Sequence, residues 1–363
     1  MTEALEMALE CFAGRRTAQG DPMRHRFAVL PSRQDPRYLL PLGDSRTTLE
    51  GFRVYTPYGF GARLRKGLLA QIVKTGWSGW ALHSLHVGEP LGLKALVTNV
   101  TAERNPAFAM LLGTPGKYRK LTVQVMRPDG ETLGYIKLGL TKPAGERVRR
   151  EARVLEDLGV LSPLVPRVLY AGEWQNSYIL FQSPLEGRPG PADLSGMHVE
   201  FLEKLAALRR VNKPGIRIVE EVGARWKEVT WRCDFRWQQL GAATLGEARR
   251  ELEKLTVPCG YWHGDFTPWN TRVCEKQLSA FDWESCEEGV PLGWDTFHFS
   301  VQVASLLKKS WRNQFDLAAA PGARGLFLLY LLSSLGRCLD ERSEENPALE
   351  YRKQVLTNEL TRI

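Results

Sequence analysis

Cys259-Gly-Tyr-Trp-His263-Gly-Asp265-Phe-Thr-Pro-Trp-Asn270, followed by Leu278-Ser-Ala-Phe281-Asp282-Trp-Glu284, is the stretch that decides the reading of this chain. Asp282 ends the apolar run Leu278 to Phe281, so it is expected to project from a strand end toward the loop carrying His263, Asp265 and Asn270. Each of these residues alone is an ordinary turn or packed residue, since Asp and Asn favour turns; their joint spacing carries the argument. Mg²⁺ is a hard cation that takes a few protein oxygens plus phosphate oxygens, so an Asn amide and one carboxylate suffice without a cage of histidines.

His263-x-Asp265-x-x-x-x-Asn270 has the spacing of a kinase catalytic loop, in which the Asp accepts a hydroxyl proton and the Asn holds a metal. Together with Asp282-Trp283-Glu284, the block resembles the aminoglycoside phosphotransferase and choline kinase-like family, small-molecule relatives of the protein kinases. The resemblance extends over roughly residues 105 to 340 and not into the first hundred. It implies an α+β, bilobal protein kinase-like fold: an antiparallel β N-lobe over 106–183 and a mostly helical C-lobe with the catalytic loop over 184–363; residues 1–105, outside the resemblance, read from their own strand and helix patterns as an extra α+β segment. It also implies Asp265 as catalytic base, Asn270 and Asp282 as Mg²⁺ ligands, and ATP as the phosphoryl donor, with His263 bracing the loop.

Upstream, Phe108 to Leu112 and Leu121 to Val125 read as two strands around Gly113-Thr-Pro-Gly116-Lys117, and Leu133 to Leu138 as a third strand carrying Lys137 after the tight turn Arg127-Pro-Asp-Gly130. A glycine-bearing hairpin followed by a strand lysine is the order of a kinase N-lobe, where glycines let backbone approach phosphates and the lysine pairs with them. The loop departs from Gly-x-Gly-x-x-Gly, which leaves open which backbone groups of Gly113 to Gly116 touch phosphate. Residues 145–158 have helical spacing, and Glu151 beside the apolar stripe resembles the glutamate that holds the strand lysine extended. Pro166 to Tyr170 and Ser177 to Phe181 read as strands leading to Gln182-Ser-Pro-Leu185-Glu-Gly187, a hinge whose backbone is placed to hydrogen-bond adenine.

Farther out, residues 1–20 read as a short amphipathic helix ending at Gly14-Arg15-Arg16. Phe27 to Leu30, Tyr38 to Leu40 and Phe52 to Tyr55 are candidate strands. Ala62 to Lys74 is a candidate helix with Leu64, Leu68, Leu69 and Ile72 on one face. His83 and His86 lie three apart, a spacing that core or surface histidines explain better than ligands. The whole segment is either an appended domain or an elaboration packed on the N-lobe. After the hinge, Val199 to Leu208, Gly246 to Leu255 and Arg324 to Arg337 have helical patterns, and the polar end from Asp340 reads as a solvated helix or tail. Asp295 is either a support for the C-lobe or a helix N-cap. Glu284, Glu287 and Glu288 lie where they line an acceptor pocket or are simply exposed.

Net charge is +8, but residues 1–190 carry +9 and the remainder −1, so the basic half is the one expected to bind nucleotide. No basic run interleaved with aromatics points to nucleic acid. The longest apolar run, Leu326 to Leu332, is far short of a membrane span of about 20 residues, and Glu3, Glu6 and Glu10 break any signal core. A cytoplasmic location is the expectation. The six cysteines, Cys11, Cys233, Cys259, Cys274, Cys286 and Cys338, follow no disulfide framework, and Cys259, His263, Cys274 and Cys286 lack the paired spacing of a zinc site. The expected activity is therefore ATP-dependent transfer of the γ-phosphoryl group to a hydroxyl of a small molecule, a sugar or amino sugar, in an oligomeric state the sequence leaves open. The rivals are a nucleotide-binding pseudokinase or scaffold, against which all the polar positions are present, and a protein kinase, against which Gly264 stands in place of the loop arginine and Asp-Trp-Glu in place of Asp-Phe-Gly.

Overall fold

The computed structural model describes residues 2–13, 24–32, 34–54, 60–75, 84–308, 310–341 and 347–362. The chain divides into two units, Met1–Leu185 and Glu186–Ile363.

In the first unit, α1 (Glu3–Ala13) precedes β1 (Arg24–Pro31), β2 (Pro36–Pro41), α2 (Ser45–Gly51), α3 (Phe60–Lys74), β3 (Ser84–Gly88) and α4 (Leu91–Thr101). There follow β4 (Ala107–Leu112), β5 (Lys120–Met126), β6 (Thr132–Gly139), α5 (Lys142–Asp157), β7 (Val168–Trp174) and β8 (Ser177–Gln182). All eight strands form one sheet in the order β3-β1-β2-β4-β5-β6-β8-β7, antiparallel at every pairing. Residues 1–105 thus supply three strands to the sheet that carries β4 to β8: Tyr38 of β2 faces Leu111 of β4, and Leu39 faces Met110. An apolar cluster with Phe27, Leu39 and Phe108 lies on one face of this sheet, and another with Ala28, Leu40 and Ala109 lies on the other. Leu5 and Phe12 of α1 are buried with Phe27, Phe108 and Val123, and the Phe12 ring meets Phe27 and Phe108 edge-on at 6.1 and 5.3 Å. Each such buried ring contributes about 1.5–3 kcal/mol, so α1 is held by burial of one face and not by its own helix propensity.

Two local expectations in this unit change. Phe52 to Val54 is a 3-10 turn closing α2, and Tyr55 lies outside the described residues. The helix start is set by Asp44, whose carboxylate accepts the Arg46 N–H at 2.6 Å, a cap that outweighs a short aromatic and β-branched run. In α3 the expected stripe is rotated: Leu64 and Leu68 are about two-thirds exposed, while Leu69 and Val73, four apart, pack into the cluster of Ala28, Leu40 and Ala109. His86 stands exposed on β3, and His83 lies outside the described residues, as does the expected helix end at Gly14 to Arg16.

The second unit comprises β9 (Arg188–Pro189), α6 (Gly196–Leu208), β10 (Val211–Pro214), α7 (Gly215–Thr230), α8 (Phe235–Leu252), β11 (Thr256–Trp262), β12 (Thr271–Cys274), β13 (Gln277–Ala280), β14 (Glu287–Pro291), α9 (Trp294–Leu307), α10 (Ala323–Glu341) and α11 (Pro347–Leu360). Two small sheets, β10-β11-β14 and β13-β12-β9, lie among these helices. Phe327 to Leu332 of α10 are wholly buried and form the centre of a core shared with Trp226, Trp237, Leu252 and Trp294. The C-terminal segment is not merely a solvated tail: Leu349, Val355 and Leu356 place one face of α11 in that core, and Arg352 is buried with them. Among the described residues no helix is long and apolar enough to cross a membrane.

Candidate active site

The first unit assembles a lysine, its carboxylate and a glycine loop. Lys137 lies opposite Leu180 of β8 on the buried strand β6, and its Nζ is 2.5 Å from Glu151 Oε1 on α5. Lys137 is 4% exposed and Glu151 fully buried, so desolvation of both charges is tolerated only because they meet. The glutamate is fixed by α5, which starts at Thr141, whose hydroxyl accepts the Ala144 N–H. The loop joining β4 to β5 begins at Gly113, which donates to the Lys120 carbonyl at 2.9 Å, and turns at Gly116 with φ 145°. Gln182 ends β8 at 3% exposure with a side-chain oxygen that has no hydrogen-bond partner among the described residues, and Leu185 is half-buried three positions on.

The second unit builds the loop after β11. His263 is buried; its Nε2–H donates to the Phe281 carbonyl at 3.0 Å, and its Nδ1 accepts the Asp265 N–H at 3.3 Å. Burial pushes its pKa down to about 4, so the ring is a neutral brace between the loop and the residue before Asp282. Asp295 serves the loop and not the helix end. Sitting in the first turn of α9, it accepts the His263 and Gly264 N–H groups at 2.9 and 3.3 Å, while Gly293 occupies the cap position. Burial pushes the Asp295 carboxyl up to about 7, against the pull of those two donors.

Asp265 is held at both oxygens: Oδ2 accepts from Asn270 Nδ2 at 2.8 Å, and Oδ1 lies 3.0 Å from His298 Nε2. Asn270 Nδ2 also donates to the Asp265 carbonyl at 3.0 Å, which leaves the amide oxygen as the face Asn270 can turn to a cation. Asn270 closes a 3-10 turn just before β12, and Asp282 follows β13. The β12–β13 hairpin, with Thr271 opposite Ala280, therefore brings Asn270 and Asp282 to one end, and the Phe281 N–H bonds the Asn270 carbonyl at 3.0 Å. Asp282 itself has φ 71°, a left-handed conformation that turns the chain out of the strand. A neutral amide oxygen and a carboxylate at one hairpin end are a donor set that suits Mg²⁺.

Two residues near this loop were not legible as site residues. His298 lies on α9, far from the motif in sequence, and nothing in Phe297-His298-Phe299 marks it. Arg337 of α10 donates to the Gly264 carbonyl at 3.3 Å, so an arginine reaches the loop from elsewhere although Gly264 occupies the arginine's position in the motif. Glu287 does not behave as an acceptor-pocket carboxylate: it pairs with Arg225 and Arg337 at 2.5 Å each. Its burial raises its pKa, but those two guanidiniums more than reverse the effect. Glu288 is exposed beside Arg209.

Residues 119–293 match the sequence profile of the phosphotransferase enzyme family. No curated protein matches the chain. Among solved structures, a thermostable mutant of the aminoglycoside phosphotransferase APH(4)-Ia in ternary complex with ADP and hygromycin B aligns with TM-score 0.51 and 14% identity, over 74% of this chain and 97% of its own. Another mutant of that protein, with AMP-PNP and hygromycin B, aligns with TM-score 0.53 and 14% identity, over 74% and 98%. A choline kinase from Cryptosporidium parvum Iowa II aligns with TM-score 0.46 and 11% identity, over 75% and 94%. The likeness to the APH(4)-Ia structures is one of fold, the protein kinase-like α+β fold. By the profile match residues 119–293 belong to the phosphotransferase enzyme family, and the chain that carries them is a kinase-type phosphotransferase.

Proposed function

We propose that this chain moves the γ-phosphoryl group of ATP to a hydroxyl of a small molecule, a sugar or amino sugar, in the cytoplasm. The observation that carries the reading is the Asp265 carboxylate, held by Asn270 at 2.8 Å in a loop tied to Asp295. A carboxylate fixed at a loop of this spacing is suited to take the acceptor's proton. The acceptor oxygen then forms its bond to the γ-phosphorus as the bond to the bridging oxygen breaks; the electron pair leaves with ADP and the proton rests on Asp265. Lys137, kept extended by Glu151, would pair with the nucleotide phosphates, and the Gly113 to Gly116 loop would bring backbone N–H groups to them. Gln182, with its buried unpartnered oxygen, and Leu185 would meet the adenine. Asn270 and Asp282 would hold Mg²⁺, which neutralises charge on the phosphate oxygens when bound. A small-molecule acceptor is favoured by the fold likeness to a phosphotransferase seen with hygromycin B.

The test is Asp265→Asn, assayed by ADP release with an acceptor found in a panel of sugars, polyols, amino sugars and amino alcohols. The kcat is expected to fall at least ~10²-fold, the lower end for a general base, while nucleotide affinity stays within a few-fold. Turnover equal to that of the unaltered chain would remove Asp265 from the role.

A further inference from the structure

Asp265 stands at the end of a buried chain of polar groups that the motif does not contain. His298 is 7% exposed, and while its Nε2 faces Asp265 Oδ1 at 3.0 Å, its Nδ1 lies 3.4 Å from the Tyr330 hydroxyl. Tyr330 is wholly buried on α10 and in turn bonds Arg352 and Ser334. Arg352, on α11, is 4% exposed and also donates to Gln302 Oε1 at 2.5 Å and to the Ala348 carbonyl at 3.1 Å. Among the described residues no carboxylate pairs with it, and its Nε has no hydrogen-bond partner.

The chemistry of these groups fixes the directions of the bonds at His298. A guanidinium has donors only, so Tyr330 must accept from Arg352 and is left to donate its own proton. Burial pushes the Tyr330 phenol up to about 12, so that proton stays in place. His298 Nδ1 is an acceptor placed for it at 3.4 Å. Its one proton lies on Nε2, where an ionised carboxylate, an acceptor only, faces it. A second proton on the ring is disfavoured first by burial and then by Arg352 and Arg337, with Asp265 pulling the other way, and the net direction is down.

We propose that His298 is a positioning residue for Asp265: the donor chain Arg352 to Tyr330 to His298 sets its tautomer, and its Nε2–H fixes Oδ1 as Asn270 fixes Oδ2, so the plane of the base is set before an acceptor arrives. This rests on the reading of Asp265 as the base. Misplacing a reacting group by about an ångström costs on the order of 10²-fold, and a carboxylate held at one oxygen alone can rotate by that much.

The experiment uses the full chain and four substitutions, His298→Leu, His298→Gln, Tyr330→Phe and Asp265→Asn. The readouts are ADP release from ATP and Mg²⁺ with the best acceptor of the panel, ATP affinity, melting temperature, and the ¹⁵N spectrum of the unaltered chain. His298→Leu is expected to lower kcat roughly 10- to 100-fold with ATP affinity within a few-fold. His298→Gln, which offers an amide N–H at similar reach, should recover most of that loss, and Tyr330→Phe should fall between. The His298 signals should be those of the Nε2–H tautomer. Equal kcat for the Gln and Leu variants, a loss that tracks melting temperature, or an Nδ1–H signal would each overturn the proposal. Should His298→Leu fail to fold, Tyr330→Phe decides: a fall in kcat with the melting temperature kept supports the donor chain, and unaltered kcat overturns it. Wild-type turnover by Asp265→Asn would sink the base reading itself, whereas a slow Asp265→Asn beside a fast His298→Leu would sink only the positioning role.

Discussion

Arg337 and Gly264 are joined by a 3.3 Å hydrogen bond from the guanidinium Nη1 to the loop carbonyl. The same guanidinium donates to the Ser285 carbonyl at 3.3 Å and pairs with Glu287, so one side chain of α10 steadies the catalytic-type loop and the segment after Asp282 together. This packing leaves no room at position 264. Gly264 has φ 81°, and a Cβ there would meet Ser285 O at 2.3 Å and Arg337 Nη1 at 2.9 Å. Gly264→Ala is therefore expected to destabilise the chain by about 2–4 kcal/mol, from left-handed strain and overpacking combined. Urea denaturation checks it, and an alanine variant as stable as the parent would show that the loop has slack.

Metal dependence should lie in two residues. Asn270→Ala and Asp282→Ala are each expected to raise the Mg²⁺ concentration needed for half-maximal ATP binding roughly 10- to 100-fold, the scale on which metal-site partners act. Cys259→Ser, Cys274→Ser and Cys286→Ser should not raise it. Titration calorimetry with ATP at stepped Mg²⁺ decides, and stoichiometric zinc lost with those cysteines would move the metal assignment to them.

The sheet predicts what removal of the first hundred residues does. β2 bonds β4 directly, and Leu5, Phe12 and Phe27 share a core with Phe108 and Val123. A chain beginning at Thr101 would open the β4 edge and bare one side of Phe108 and Met110. It is expected to be insoluble, or blind to ATP and Mg²⁺ in calorimetry. A soluble chain of that length that binds ATP as tightly as the parent would make 1–105 an independent segment.

The parts of this architecture that could be read in the chain are those whose physics is local. Strands β4, β5, β6 and β8 alternate or run apolar between Gly and Pro punctuation, and Lys137 and Glu151 stand in elements that each declare themselves. The His263 to Asp282 block is legible because its ligands sit on one short loop and one hairpin. His298, Tyr330 and Arg352 are not, because three helices bring them together and no spacing records that. The N-terminus of α8 was legible in principle: Asp234 accepts the Arg236 N–H at 2.9 Å, a cap signal twelve residues ahead of the expected start at Gly246. The inner face of α11 escaped because its apolar positions are sparse among charges, so only the presence of α10's core shows which side is buried.

His198 supplies a pH signature that does not involve the catalytic loop's own titration. Its Nδ1 accepts the Ser195 N–H at 3.1 Å at the start of α6, and its ring lies among Phe266 and Phe299 at 5.9 and 4.9 Å. Burial pushes its pKa down from 6.5 to about 4. The unfolded chain therefore takes up this proton first as pH falls, so the ring's contribution is whole above about 6.5 and is lost as pH drops toward 4. The stability advantage over His198→Asn should shrink by on the order of 3 kcal/mol from neutral pH to pH 4, measured by urea denaturation. A difference constant across that range would mean that the ring takes its proton without leaving the fold.

The strand order β3-β1-β2-β4 also bears on how the protein is made. Synthesis runs from the N-terminus, so β1, β2 and β3 leave the ribosome while β2 still lacks the neighbour on its outer side. That edge stays open until Ala107–Leu112 emerges, and a pause in translation before that point prolongs the exposure of an apolar strand carrying Leu39 and Leu40. The expected signature is on ribosome-bound chains: those arrested before Ala107 should show little amide protection in β2, and those extended past Met126 should acquire it. Equal protection at both lengths would mean that the first three strands close on their own, and that the nascent chain has no interval at risk.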